Sequence, residues 1–270
     1  MRRRPLLFLL SVLLLSAPAL AVESGISPDR LTRVVQSGLL RVCIWPDYYG
    51  ISYRNPKTQQ LAGIDVDLAQ DLAHDLGPEV RVEFVDSSFA RLIEDVTGDR
   101  CDIAMFAIGI TPGRAEKLRF SQPHLQSDIY AVTTRSNRRI QQWADIDQPG
   151  VVVAVAKGTY HEPVMREKLR QARLVVLDTP FAREQEVESG RADVFMTDYP
   201  YSQRMLANSD WARLVSPPAR YHLTPYAYAM APGDDRWHQR VERFILAIKQ
   251  DGRLLAAAKR HRLEAIVKLD

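Results

Sequence analysis

The chain has 270 residues, 46% of them hydrophobic, enough for about two packed domains at the roughly 100 to 200 residues that each takes, so an intrinsically disordered chain is excluded. Its formal charge of +3 comes from 36 Lys and Arg against 33 Asp and Glu, and Arg2, Arg3 and Arg4 account for the whole surplus. Everything after Ala21 is formally neutral, which argues against nucleic acid or an anionic membrane surface as a partner.

Residues 1–21 read as a secretory signal: a basic start, an apolar run from Leu6 to Leu15, then Ala19-Leu20-Ala21, a small-x-small pattern with cleavage expected after Ala21. The run falls short of the about 20 residues needed to span a bilayer, and no cysteine stands just after the cut to carry a lipid. The expected product is a soluble, exported chain, which can keep a disulfide. Cys43 and Cys101, the only two cysteines, fall at the edges of apolar runs that read as neighbouring parallel strands. A disulfide between them is favoured over two buried thiols, as a structural cross-link rather than a redox centre, since there is no C-x-x-C.

The first predicted element is a buried strand over Leu39–Trp45. A helix follows from Asp65, with Val66, Ala69, Ala73 and Leu76 on one face and Gly77-Pro78 ending it. The alternating run Val80–Phe84 is a strand, Leu92, Ile93 and Val96 mark a helix, and the apolar run Ile103–Ile108 is a strand covered on both sides. This β-α-β-α-β order recurs after Gln148-Pro149-Gly150, with strands at 151–156, 174–177 and 192–196 and helices at about 162–172 and 182–188. Two such units predict two doubly wound α/β lobes. Residues 129–134 read as a strand leaving the first lobe and 225–231 as a strand returning to it, and helices 236–250 and 253–262 complete that lobe. The expected division is 22–133 with 227–270 as lobe 1, and 134–226 as lobe 2. A two-segment hinge and a cleft at the strand C-terminal ends follow, and such clefts are where α/β proteins hold small ligands.

No phosphate loop, dinucleotide fingerprint, nucleophile elbow or metal-spaced Cys/His cluster is present, so neither cofactor nor metal is expected. Of the six histidines only His161, beside Glu162 and just after Gly158-Thr159-Tyr160, stands next to an acid near a cleft loop. Thr111-Pro112-Gly113-Arg114, closing the most apolar strand and opening a helix, could aim a guanidinium at a carboxylate, although such an arginine alone is as readily a solvated turn. In the second unit the strand ending Met196-Thr197-Asp198 puts an acid at the cleft edge, able to hold an ammonium. Arg114 and Asp198 facing each other from two lobes would read a zwitterion. Tyr48 and Phe89, after the first and second strands, could flank its side chain, although aromatics of this kind are more often core.

Leu40-Arg41-Val42-Cys43-Ile44 entering Tyr48, Gly63-Ile64-Asp65-Val66-Asp67-Leu68-Ala69, Cys101-Asp102-Ile103 running to Thr111-Pro112-Gly113-Arg114 and Phe120-Ser121-Gln122-Pro123, and Gly190-Arg191-Ala192-Asp193 running to Asp198 together resemble the periplasmic solute-binding proteins of polar-amino-acid ABC transporters (family 3 type). The resemblance covers nearly all of the chain after the signal. It implies a two-lobed, hinge-closing fold, a periplasmic monomer, an amino acid or related carboxylate as ligand, and a membrane permease as partner. It also implies that Arg114 binds the α-carboxylate, helped by the backbone at Gly109, Thr111 and Thr159, that Asp198 binds the α-ammonium, and that Tyr48 and Phe89 flank the side chain. Trp45 stands where binders of basic amino acids have an acid, Phe106 and Gly109 stand where hydroxyl residues are common, and Gly50 replaces a frequent proline. These departures imply an apolar or aromatic-walled pocket.

Two alternatives lie close by. The sequence also resembles periplasmic cyclohexadienyl dehydratases, which share this fold yet eliminate water and carbon dioxide from prephenate, through Asp145-Ile146-Asp147-Gln148-Pro149-Gly150-Val151 and Gly158-Thr159. Their general acid is carried on the Gly-Thr loop, where His161 or Glu162 stands here. The placement of Cys43 and Cys101 is similar to that of relatives acting as accessory proteins to periplasmic oxidoreductases. The expected reading is the transport one, with no chemistry performed.

Overall fold

The computed structural model describes residues 29–270, so the predicted signal segment lies outside the described residues. Two α/β lobes are present, each on its own sheet. The first sheet runs Arg81–Asp86, Leu39–Ile44, Ile103–Gly109, Thr224–Met230, Arg119–Phe120, with Leu125–Ser127 also paired to Thr224–Met230. The second runs Arg173–Leu177, Val152–Ala156, Val194–Thr197, Tyr130–Thr134, Ala212–Val215. In both, the first strand of the β-α-β-α-β unit lies between the second and third, all parallel, and the next neighbour is antiparallel. Strand order therefore reverses beside the first strand of each unit, which opens a crevice at the C-terminal strand ends.

The helices follow from their apolar faces. Ile64–Leu76 buries Ile64, Val66, Leu68, Ala69, Leu72 and Ala73, and Asp235–Gln250, capped by Asp234, sets Trp237, Val241, Phe244, Ile245 and Ile248 into the first lobe. Each Val, Leu, Ile or Phe among them contributes about 1.5 to 3 kcal/mol on burial. The predicted helix 162–172 is shorter than expected, His161–Lys168, because the Asp147 carboxylate accepts the amides of Arg170, Gln171 and Ala172 at 2.9, 2.8 and 2.9 Å and holds them out of helical register. A small sheet of Asp47–Tyr48, Ser52–Arg54 and Leu61–Ala62 follows the first strand of the first lobe and was not expected.

The crossings between lobes differ from expectation in place. The strand Tyr130–Thr134, read over 129–134 as leaving a first lobe that ends at 133, pairs instead with Val194–Thr197 and Ala212–Val215 in the second sheet. The chain thus leaves the first sheet after Ser127 and returns between Val215 and Thr224, rather than at 133 and 226. A short β-like run shows that a strand is present but not which sheet receives it. Asp128, in the outgoing crossing, accepts the amides of Tyr221 at 2.8 Å and His222 at 2.7 Å in the returning one, so a single carboxylate ties the two segments together.

Cys43 and Cys101 are bonded, with Cα atoms 5.5 Å apart. Cys43 lies in Leu39–Ile44 and Cys101 just before its parallel neighbour Ile103–Gly109. The bond closes a loop of 58 residues, and constraining the unfolded chain by such a loop contributes about 2 to 4 kcal/mol. A Cys43→Ala/Cys101→Ala variant should keep the fold and lose stability by that amount, read as a lower urea midpoint with a somewhat steeper slope, because the uncrosslinked unfolded chain exposes more surface.

Candidate functional site

Most side chains of the cleft follow the C-terminal end of a parallel strand. From the first lobe come Trp45 and Tyr48 after Leu39–Ile44, Phe89 after Arg81–Asp86, and Arg114 after Ile103–Gly109. From the second come Thr159, Tyr160 and His161 after Val152–Ala156, Arg183 after Arg173–Leu177, and Asp198 and Tyr201 after Val194–Thr197.

Asp198 is 3% exposed and caps the helix Tyr199–Asn208, accepting the Tyr201 amide at 3.1 Å. Its other oxygen accepts the hydroxyl of Tyr48 and, at 2.8 Å, that of Tyr226, both from the opposite lobe. Tyr160 extends the chain, its hydroxyl 3.3 Å from that of Tyr226. Burial raises the Asp198 carboxyl, and the two tyrosine hydroxyls and the Tyr201 amide oppose it. Burial first, then the Asp198 charge, pushes Tyr48, Tyr160 and Tyr226 well above the ordinary phenol range, so all three stay protonated and can donate.

Arg114, 7% exposed, is held by carbonyls alone. Nη1 donates to Gly109 O at 2.7 Å and Nη2 to Gly158 O of the second lobe at 2.9 Å. Thr111 caps its short helix, accepting the Arg114 amide at 3.3 Å. Burial pulls the guanidinium down to about 10, which leaves it charged at neutral pH.

The expected pair is therefore present, each member contacted from the far lobe, but the two do not share a cavity. Asp198 lines one with Trp45, Tyr48, Ala107, His161 and Arg183, and Arg114 lines another with Thr111, Gly158 and Glu162. Phe89, Thr159 and Tyr160 line both, and the Phe89 ring stands 5.4 Å from the Arg114 guanidinium carbon. Trp45 and Tyr201, one from each lobe, lie parallel within 4° at 6.2 Å. Phe106, expected at the ligand, is wholly buried behind Phe89, ring centroids 5.1 Å apart. Gly109 contributes its carbonyl to Arg114; a Cβ there would meet Thr224 at 3.0 Å and Tyr160 at 3.2 Å.

A bulge shapes the floor. Ala107 has φ +47° in the middle of its strand, opposite a register shift between Ala227 and Ala229. An alanine adopts this conformation only under constraint, and the buried Asp65 supplies it by accepting the Ala107 amide at 2.8 Å while Tyr228 donates to its other oxygen at 2.9 Å. Asp65, noticed in the sequence only as part of a motif, thus sets where the strand turns Ala107 into the cavity.

Arg183 escaped the sequence reading. It lies in the first turn of Pro180–Glu188, capped by Thr179, and is 2% exposed. Its position after the second strand of its unit is the one Phe89 occupies in the first lobe, and that correspondence was the available signal. His161 is buried, and no side chain hydrogen-bonds to its ring nitrogens. Burial, then the Arg183 charge, holds its imidazole well below 6.5 and neutral. Glu162 faces the Arg114 cavity, paired with Arg166 at 3.0 Å and accepting the Gly158 amide at 3.2 Å. Among the described residues no group of His, Cys, Asp or Glu is placed to hold a metal ion.

The model of the bacterial extracellular solute-binding proteins, family 3, matches residues 40–264. The chain is 35% identical to the cyclohexadienyl dehydratase of Pseudomonas aeruginosa over 253 residues, 93% of this chain and 91% of that one. It is 24% identical to the amino-acid-binding protein AabA of Dichelobacter nodosus over 221 residues, 80% of this chain and 85% of that one. Among solved structures it superposes on an ancestral amino acid-binding protein, a precursor of cyclohexadienyl dehydratase, with a TM-score of 0.77 at 30% identity, covering 85% of this chain and 98% of that one. The solute receptor for L-cysteine of Neisseria gonorrhoeae gives a TM-score of 0.79 at 24% identity, covering 88% and 99%.

Two outcomes follow from this geometry. Gly158, at φ +76°, lies so close to the first lobe that a Cβ would stand 2.7 Å from Ala90 Cα and N. Gly158→Ala should therefore hold the lobes apart, giving a larger radius of gyration in small-angle scattering under conditions where the wild type is closed. The second concerns pH. The unfolded chain binds a proton at His161 near 6.5 that the folded state refuses, so stability falls as pH drops below that value, by at most about 1.4 kcal/mol per unit for one such group. His161→Leu should flatten the decline between about pH 7 and about pH 5, read from urea midpoints.

Proposed function

Because the chain belongs to the bacterial extracellular solute-binding proteins of family 3, we propose that it works in the periplasm as a monomer, captures a small amino-acid-like carboxylate by closing its lobes, and presents the closed form to the membrane permease of an ABC importer. The supporting observation is the pair of charged groups met from opposite lobes. Arg114, with carbonyl partners only, lacks an anion, and a ligand carboxylate would accept from its remaining donors. Asp198 with the hydroxyl oxygens of Tyr48 and Tyr226 offers acceptors for an ammonium. Because Phe89 and Tyr160 stand between the two cavities, a ligand reaching both charges displaces the Phe89 ring from over Arg114. Trp45, Tyr48, Phe89 and Tyr201 then wall its side chain. Phe106 acts only by backing Phe89.

A dehydratase of the cyclohexadienyl type is the second reading, favoured by the 35% identity to such an enzyme. It needs a general acid over the leaving group. His161 is neutral with a depressed pKa, a poor proton donor, and Glu162 is committed to Arg166 and the Gly158 amide, so the transport reading is preferred.

A thermal-shift and calorimetric screen of refolded protein against amino acids, the matching hydroxy acids and prephenate tests both. Binding of a carboxylate ligand by the wild type should vanish in Arg114→Met, and Asp198→Asn should weaken amino acids about 30-fold more than hydroxy acids, the usual scale for losing a buried charge partner. Unchanged affinity in Arg114→Met would sink the assignment, and turnover of prephenate would shift it to the enzyme.

A further inference from the structure

The cleft holds a second guanidinium that no carboxylate among the described residues pairs with directly. Arg183 lines the Asp198 cavity and is 2% exposed. Nη1 donates to Met196 O at 2.9 Å, while Nε and Nη2 have no partner. Its guanidinium carbon lies 4.4 Å from the centre of the Phe195 ring and 4.7 Å from that of Tyr201, which fixes the plane of the group without satisfying its donors. Among the described residues no carboxylate lies within ion-pair distance of it. Glu184, next in the chain, is committed to Arg204 at 2.8 Å and to the Tyr201 hydroxyl. A buried guanidinium with two idle nitrogens is costly to keep, and an apolar side chain would pack against Phe195 and Tyr201 at lower cost.

The charges facing the cleft are Arg114 and Arg183 against Asp198, since Glu162 is spent on Arg166. Closing on a zwitterion with an uncharged side chain leaves a surplus positive charge inside. Closing on a ligand with one more anionic group removes it. We propose that Arg183 takes a second anionic group of the ligand, so that the cleft selects doubly anionic carboxylates over ligands with a single carboxylate. This rests on the carboxylate-binding reading of the cleft. Nε and Nη2 lie on one edge of the guanidinium, the arrangement that accepts two carboxylate oxygens side by side. The neutral His161, whose ring has no side-chain partner, lines the same cavity and offers that group one further hydrogen bond.

The test is calorimetric titration of the purified protein and its Arg183→Met, Arg183→Lys and Arg114→Met variants. Doubly anionic probes (L-glutamate, L-aspartate, 2-oxoglutarate, prephenate) are set against singly anionic ones (L-glutamine, L-leucine, L-phenylalanine). The wild type should bind at least one doubly anionic probe about 30-fold or more tightly than every singly anionic probe, on the scale of a buried charge pair. Arg183→Met should erase that preference and leave singly anionic probes within about threefold, Arg183→Lys should restore part of it, and Arg114→Met should weaken both classes. Preference for an acidic amino acid or for an amine-free dicarboxylate supports the proposal equally and tells whether Asp198 meets an ammonium. Without ligand, Arg183→Met should melt no lower than the wild type. Equal binding of both classes by the wild type, or equal losses for both in Arg183→Met, would overturn the proposal and leave the carboxylate-binding reading standing. Failure of every probe to bind would overturn the two together. Should Arg183→Met not fold, the wild-type preference and the lysine variant decide.

Discussion

Closing two lobes over a cleft takes the charged side chains at its edges out of water, and the rest of the structure is arranged around how each of them is then satisfied. Asp198 is the best provided for: an amide of the helix it caps and the hydroxyls of Tyr48 and Tyr226 surround it, and those hydroxyls come from the other lobe. One carboxylate therefore serves both as a local cap and as the joint between lobes. Arg114 reaches across in the opposite direction to Gly158 O.

What makes the joint possible is the repetition of one topology. In both sheets the first strand of the unit lies between the second and third, so the loops after all three strands converge on one edge. A further local device, the bulge at Ala107 held by Asp65 and Tyr228, carries the third strand of the first lobe toward the cavity before it delivers Arg114. The disulfide lies within the first lobe, linking the first and third of these strands, and stiffens the platform without crossing the hinge.

Much of this was legible in the residues. The β-α-β-α-β repeat follows from alternating periodicities, and Cys43 and Cys101 at the edges of adjacent parallel runs point to their bond. Arg114 and Asp198 were visible because each ends a strongly apolar strand. The misreadings share a cause, which is that periodicity reports burial but not direction. Tyr130–Thr134 is buried on both faces at Ala131, Val132 and Thr133, as a strand of either sheet could be, and only its pairing with Val194–Thr197 places it in the second. Phe106 is apolar and beside the cleft, yet the pleat turns it behind Phe89. Arg183 sits in a short helix among polar residues, and nothing local reveals that Phe195 and Tyr201 enclose it.

The Asp128 carboxylate, by holding the Tyr221 and His222 amides, joins the outgoing and returning crossings into one ribbon. Such a ribbon resists sliding of one crossing past the other, so the lobes are left with rotation about a single line. Motion about an axis grows with distance from it. Tyr199, whose amide donates to Ser127 beside that axis, and Tyr226, just inside the strand that follows the returning crossing, therefore travel least. The Asp198 end of the cleft works as the pivot of a jaw, and the rim at Gly158 and Ala90 as its mouth, so a molecule entering from solvent meets the mouth before it reaches the carboxylate.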